Sequence, residues 1–171
     1  DLVVVNKPAG IVSFHAHSTG GKVRPGKDVS LVDAMVHANV KLSTLNPDAL
    51  GLVHRLDRGT SGCMMLAKSD EAHARLVMQL FCRQIAKEYA CKVDKEVPLG
   101  LVETPVHDKP ALSEVLSCEN GIVQMTIQTG RKHQVRIHCA DLGAPIVGDT
   151  LYGGRTLADR DFCLHCTQLS I

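Results

Sequence analysis

One short stretch concentrates reactive side chains: His54-Arg55-Leu56-Asp57-Arg58-Gly59-Thr60-Ser61-Gly62. A single carboxylate, Asp57, lies between Arg55 and Arg58. A carboxylate flanked by cations stays ionised, so it can serve as nucleophile or base but not as an acid. The small residues after it read as a loop, and loops held by flanking strands are where reactive groups tend to sit. The plain alternative is a salt-bridged turn aspartate, which composition alone favours. A second stretch, Thr129 to His138, holds Arg131, Lys132 and Arg136 among histidines, the densest basic cluster of the chain. At a helix start such a group suits phosphate, although a solvated basic face is the ordinary outcome. On a helix Arg131 and Arg136 point in different directions. One can face a phosphate while the other turns inward to a buried carboxylate. Tyr89 reads as a core residue, as a ring that stacks on a ligand, or as a proton carrier. Tyr152, among glycines, reads as a turn residue, and His54 and His165 as satisfied core histidines.

The elements that must position these groups can be read from periodicity and punctuation. Leu2 to Val5 is a β-branched run closed by Lys7-Pro8-Ala9-Gly10, a strand ending in a turn. Residues 13 to 28 read as a mobile loop. Ser30 with Asp33 makes a capping box, and Leu31, Ala34, Met35, Ala38 and Leu42 follow at helical spacing until Asn46-Pro47-Asp48. Leu50 to Leu56 and Cys63 to Ala67 are strand candidates on either side of the Asp57 loop. Ser69-Asp70-Glu71 opens the clearest helix, with Leu76, Val77, Leu80 and Phe81 as its expected buried stripe. From Ile85 to Val93 the period changes to two, placing Lys87, Tyr89, Cys91 and Val93 on one face. Residues 94 to 112 read as a connection. Ser113 to Leu116 and Ile122 to Ile127 are strands joined at Glu119-Asn120-Gly121. Residues 130 to 140 read as a short helix closed by Gly143 and Pro145, and Phe162 to Ile171 as a last strand. Strands outnumber helices and mostly follow one another, which predicts an α+β fold with a mixed, largely antiparallel sheet.

Composition excludes several classes. The chain has 171 residues, 44% apolar and 22% charged, with a formal net charge of +1. These are globular values, the length of about one domain, and no apolar run is long enough to span a bilayer. A polyanionic partner must therefore be met by a local patch. The seven cysteines are an odd number in apolar surroundings, which reads as reduced thiols inside a cell. Cys163-Leu164-His165-Cys166 has a metal-like spacing but no second ligand pair, so no metal site is expected. With no tryptophan, two tyrosines and three phenylalanines, a multi-base stacking platform is excluded.

Taken together the segments resemble a known family. His54-Arg55-Leu56-Asp57-x-x-Thr60-Ser61-Gly62 is similar to the signature of the RluA-like, ribosomal large-subunit type of RNA pseudouridine synthases. Four more segments match in order. They are Asn6-Lys7-Pro8-Ala9-Gly10, Lys87-Glu88-Tyr89, Thr129-Gly130-Arg131-x-His133-Gln134-Val135-Arg136-x-His138, and Gly143-x-Pro145-Ile146-x-Gly148-Asp149-x-x-Tyr152-Gly153. Leu164-His165 fits the family's near-terminal strand.

The resemblance implies the pseudouridine synthase catalytic fold as a single domain over residues 1–171, trimmed at both ends and without an accessory RNA-binding domain. It implies isomerisation of uridine to pseudouridine in structured RNA, rRNA first and tRNA second, without metal or organic cofactor. Asp57 would be the catalytic aspartate, Tyr89 the tyrosine packed on the target base, and Arg136 the arginine paired with the aspartate. Arg55 would fill the space left by the extruded base, and Arg58, Arg131 and Lys132 would also meet RNA. Partners would be RNA and a larger ribonucleoprotein or ribosome-assembly complex, with no membrane, in the cytoplasm or mitochondrial matrix. Two rivals stay open: an inactive RNA-binding or ribosome-assembly protein on the same fold, and, far behind, a glycoside hydrolase, which needs a second carboxylate at defined separation.

Overall fold

The structure is a computed structural model that describes residues 1–15, 28–158 and 161–171. Most of the loop expected over 13–28 falls on residues 16–27, outside the described residues. The chain divides into two compact units, Asp1–Gln84 and Ile85–Ile171.

In the first unit, β1 (Leu2–Lys7) pairs antiparallel with β2 (Ser61–Ala67), Leu2 opposite Ala67 and Lys7 opposite Gly62. Met64 to Ala67 are all buried, because both faces of β2 are covered; this is why the segment is continuously apolar rather than alternating. Helix α1 (Leu31–His37) begins at the expected capping box: Ser30 accepts from the Asp33 amide and Asp33 accepts from Ser30. It ends well before the predicted Leu42. Asn39 takes a left-handed φ of 56°, and the Val40 amide reaches back to the Met35 carbonyl. Asparagine tolerates that conformation at a helix end, so no proline is needed to stop the helix.

Leu50 to Leu56 is not a strand. Turns link Ala49 to Asn46 and Leu52 to Ala49, and Leu52 makes only an isolated bridge to Leu66. Gly51 sits at φ +65° with its Cα against the Ala67 carbonyl, where a Cβ would lie 2.5 Å from that oxygen. The apolar side chains are buried by a tight crossing rather than by a ladder.

Helix α2 (Asp70–Phe81) starts as read, capped by Ser69. Its inward face is different from the expected stripe. His73 and Leu76 are buried, whereas Val77 is exposed and Phe81 is 82% exposed. The inward positions are set by where Asp70 is anchored. Its carboxylate accepts from the Ser43 hydroxyl at 2.6 Å and from the Thr44 and Leu45 amides, and His73 Nδ1 lies 3.1 Å from the same hydroxyl.

The second unit is a five-stranded antiparallel array in the order β7-β3-β6-β5-β4: β3 is Ala86–Lys92, β4 Gly100–Val102, β5 Ser113–Glu119, β6 Ile122–Ile127 and β7 Leu164–Ser170. β4 lies inside the stretch read as a connection; three residues at an edge leave no periodic signal. Asn120 and Gly121, with φ of 53° and 70°, close the β5–β6 hairpin, the positive values that a two-residue turn of primed type requires. Helix α3 (Gln134–Asp141) ends at Gly143, φ 75°, with the Ala144 amide bonded to the Cys139 carbonyl. The α+β class read from the sequence stands.

Asp70 yields a pH prediction. The Ser43 hydroxyl first, then the Thr44 and Leu45 amides, hold its carboxyl below the usual aspartate range. A group whose folded pKa is depressed contributes stability above its unfolded pKa of about 3.9, and that contribution is lost as pH falls through the lower folded value. Asp70→Ala should therefore lower the urea midpoint at pH 6, and the gap to the parent should narrow on acidification below pH 4. A gap that does not depend on pH would mean the anchor works without its charge.

Candidate active site

The Asp57 segment is irregular chain between the Leu52 bridge and β2, and its neighbours are pinned one by one. Ser13 Oγ donates to the Leu56 carbonyl at 2.8 Å and accepts from the Leu56 amide at 3.1 Å. Lys7 has no exposed surface, although lysine is among the residues least often fully buried. Its ammonium donates to the carbonyls of Pro8, Ile11 and Arg58 at 2.9, 2.8 and 3.2 Å. Gly10 and Arg58 are joined twice: the Gly10 amide donates to the Arg58 carbonyl, and Arg58 Nε donates to the Gly10 carbonyl. The Thr60 amide closes a turn on the Asp57 carbonyl.

Asp57 is thus held half-buried between fixed positions 56 and 58. His54 accepts from the Met65 amide through Nε2 at 3.1 Å, which leaves the ring proton of the neutral imidazole on Nδ1 and ties the loop to β2. Arg55 is exposed, its guanidinium 5.6 Å from the centre of the Phe14 ring. Arg58, expected to meet RNA, also pairs with Asp28 at 2.6 Å. Its guanidinium is largely engaged in clamping the turn.

In the second unit Tyr89 stands on β3 opposite Met125 of β6 and Cys166 of β7, 7% exposed. The helix read over 130–140 begins only at Gln134, after His133 at a left-handed φ of 60°, so Arg131 and Lys132 precede the helix and only Arg136 lies on it. Arg131 is half-buried, Nε on the Pro110 carbonyl, and Lys132 is exposed. Arg136 is turned inward. Its Nε and one terminal nitrogen meet the two oxygens of Asp149 at 2.6 and 2.7 Å, both side chains buried. The guanidinium lies 4.9 Å from the Tyr152 ring centre and 4.2 Å from that of Phe162. Tyr152 is therefore more than a turn residue: its hydroxyl is also 2.8 Å from His133 Nδ1. Asp149, which sequence reasoning did not single out, is placed by a loop that tolerates no side chain at Gly154, where a Cβ would lie 2.0 Å from the Ile146 carbonyl. Its signal was its place in the matching segment Gly148-Asp149-x-x-Tyr152-Gly153, where no role had been given to it.

The remaining polar residues of the 129–138 segment form one chain of hydrogen bonds. Gln134 Oε1 accepts from the Thr129 hydroxyl and the Arg131 amide. Its Nε2 donates to the Leu112 carbonyl and to Ser113 Oγ. His138 Nε2 faces the Thr104 carbonyl at 2.9 Å and so carries the proton, which makes Nδ1 the acceptor for the Ser113 hydroxyl at 2.8 Å. Every donor in the chain has a direction, so the start of α3 is fixed.

Among the described residues no group of three or more His, Cys, Asp or Glu side chains could hold a metal ion, and none of the seven cysteines is in a disulfide.

The fold places the chain in a class. It matches two human pseudouridylate synthase domain-containing proteins, number 4 with TM-score 0.69, 22% identity, 98% of this chain and 80% of the other. The match to number 1 has TM-score 0.70, 21% identity and covers 99% and 74% of the two chains. Residues 1–141 match the RNA pseudouridylate synthase family. Two bacterial ribosomal large subunit pseudouridine synthases D align as well. That of Yersinia pestis is 32% identical over 91% of this chain and 51% of its own length; that of Xylella fastidiosa is 36% identical over 90% and 49%. The chain belongs to the RNA pseudouridylate synthase family, in its RluA-like branch. It spans about half the length of these curated relatives.

The Arg136–Asp149 pair is a stability element that a double-mutant cycle can isolate. Asp149→Ala removes the carboxylate that faces the buried Arg136 guanidinium and should cost about 3–5 kcal/mol in urea unfolding. Removing both charges, with Arg136→Met and Asp149→Leu, should restore much of that loss. A double variant less stable than Asp149→Ala would show that the ring contacts, not the charge pair, dominate.

Proposed function

We propose that the protein isomerises uridine to pseudouridine in structured RNA, ribosomal RNA in the first place. What carries the reading is Asp57: it occupies the family's signature segment, half-buried, with the residues on either side pinned by Lys7, Ser13 and Gly10. Such pinning favours a group that must meet a substrate atom in one geometry. The rival of an inactive RNA-binding protein is disfavoured by the intact set of Asp57, Tyr89 and Arg136, and the glycosidase by the absence of a second carboxylate in the signature segment.

In this reading the target base first leaves its stack, which costs a few kcal/mol unless it is already unpaired. Arg55, exposed and lying near Phe14, fills the gap. Asp57 then acts in one of two ways. It attacks the anomeric carbon and forms an ester as the glycosidic C–N bond breaks, or it removes a sugar proton to the same end. The released uracil turns against Tyr89. Its carbon 5 then bonds to the anomeric carbon, the bond or proton held by Asp57 is returned, the carbon 5 proton is lost to a base, and N1, freed by the C–N cleavage, takes up a proton. Atoms and electrons balance without oxidant, reductant or group donor, so the reaction itself needs no cofactor. Arg136, held rigid by Asp149, Tyr152 and Phe162, is the arginine of the set. The bacterial relatives favour a cytoplasmic setting and lend no support to the mitochondrial matrix.

Tritium release from carbon 5 of uridine in large-subunit rRNA tests the reading. Asp57→Asn should bring release to background with fold and RNA binding retained, because the amide has the shape but is neither nucleophile nor base. Tyr89→Phe should keep most binding and Tyr89→Leu lose it if the ring packs on the base; near-parent rates in both would make Tyr89 a core residue only. Turnover by Asp57→Asn would remove that carboxylate from the mechanism.

Replacing Arg131 and Lys132 together by alanine should weaken binding and flatten the slope of log Kd against log salt by up to about 0.7–0.9 per lost phosphate contact. With a net charge of +1, the isolated 171 residues should bind weakly at physiological salt, with further contacts supplied by other segments or a partner. Tight, salt-insensitive binding would refute the charge argument.

A further inference from the structure

Lys87 stands two residues before Tyr89 on β3. The pairing with β6 is unbroken here, Lys87 opposite Ile127 and Tyr89 opposite Met125, so the two side chains leave the same face of the strand. That face continues into Cys91 and Val93, both buried. A cation is out of place among them, and burial pushes the Lys87 ammonium below the ordinary lysine value, the Cys166 thiol opposing in part. Lys7, the other lysine drawn into the protein, is satisfied by three backbone carbonyls. Lys87 is not: among the described residues its Nζ has neither a hydrogen-bond nor an ion-pair partner. Its Nζ lies beside Gly130, 3.5 Å from where a Cβ would stand, which is ordinary contact distance. From Gly130 the chain runs directly into Arg131 and Lys132.

A half-buried ammonium without a counter-charge costs stability, and such losses persist where function needs the group. The acceptor must carry charge to offset the desolvation. A nucleic-acid substrate offers phosphate, for which lysine is a compact point-charge binder. Alternate residues on a strand stand roughly 7 Å apart, the scale of the span from a nucleobase to its own phosphate.

From this placement we infer that Lys87 is a substrate-binding residue, its ammonium holding the phosphate of the nucleotide whose base packs on Tyr89. The inference rests on the pseudouridine synthase reading and adds to it a contact that fixes the target nucleotide at both ends, ring and phosphate. Arg131 and Lys132 take neighbouring phosphates.

The test uses the full-length protein and a large-subunit rRNA transcript labelled with 5-tritiated uridine. Thermal midpoint, transcript Kd and kcat/KM for tritium release are measured across a salt series for the parent, Lys87→Met and Lys87→Arg. Methionine fills the same volume without a desolvated charge, so Lys87→Met should keep or raise the thermal midpoint. Its kcat/KM should fall roughly tenfold or more, the loss of a charged hydrogen bond. The salt slopes of Kd and kcat/KM should both flatten by about 0.7, one single-strand phosphate contact. Lys87→Arg, which keeps the charge, should retain the parent slopes. A lowered midpoint with unchanged kcat/KM and slopes would make Lys87 a structural residue and overturn the inference. Reduced kcat/KM with parent slopes would place an uncharged acceptor, such as a uracil carbonyl, against the ammonium and also overturn it. Absence of tritium release by the parent would instead overturn the isomerase reading, and the Kd slopes would still decide whether Lys87 meets a phosphate.

Discussion

The second unit is organised around one buried cation. A guanidinium cannot be taken out of water without a partner, and Arg136 meets a bidentate carboxylate while its guanidinium also lies over the Tyr152 and Phe162 rings. That requirement explains residues far apart in the chain. Asp149 must arrive with both oxygens in the guanidinium plane, which fixes the turn from Ile146 to Gly154. Gly154 must lack a side chain for that turn to close. Tyr152 must lie flat enough to meet Arg136 while its hydroxyl reaches His133. Phe162 must precede β7.

The first unit applies the same logic to a different cation. Lys7 is buried not to pair with a carboxylate but to gather three carbonyls from two chain segments. An ammonium has three donors, and the Lys7 ammonium gives them to backbone carbonyls on both sides of the crossing between residues 8–11 and 58. The result stiffens the backbone on the C-terminal side of Asp57, while Ser13 does so on the N-terminal side. A loop fixed in this way positions a side chain with little conformational freedom left to lose on meeting a substrate.

Much of this was legible. The hairpin at Asn120-Gly121, the capping boxes and caps at Ser30 and Ser69, the period-two face of β3 and the glycine stop of α3 all depend on local conformational preference, which the sequence carries residue by residue. The illegible parts share a cause. The inward face of α2 turned away from Val77 and Phe81 because Asp70 is anchored to Ser43, a residue far upstream. Leu50 to Leu56 failed to be a strand because Gly51 must pass under the Ala67 carbonyl. Apolar runs report burial, and burial can be met by a crossing as well as by a ladder.

The sequence by itself determined the family, through five segments in register, and with it the candidate chemistry at Asp57. It did not determine where α3 begins: the helix read over 130–140 starts at Gln134, after His133 at a left-handed φ of 60°, so Arg131 and Arg136 are not related by helical spacing. Only the tertiary structure decided the partners: Asp149 for Arg136, the three carbonyls for Lys7, Ser113 for His138. Charge pairing and buried hydrogen bonding are satisfied by whatever the fold brings within about 3 Å, and sequence distance does not encode that approach.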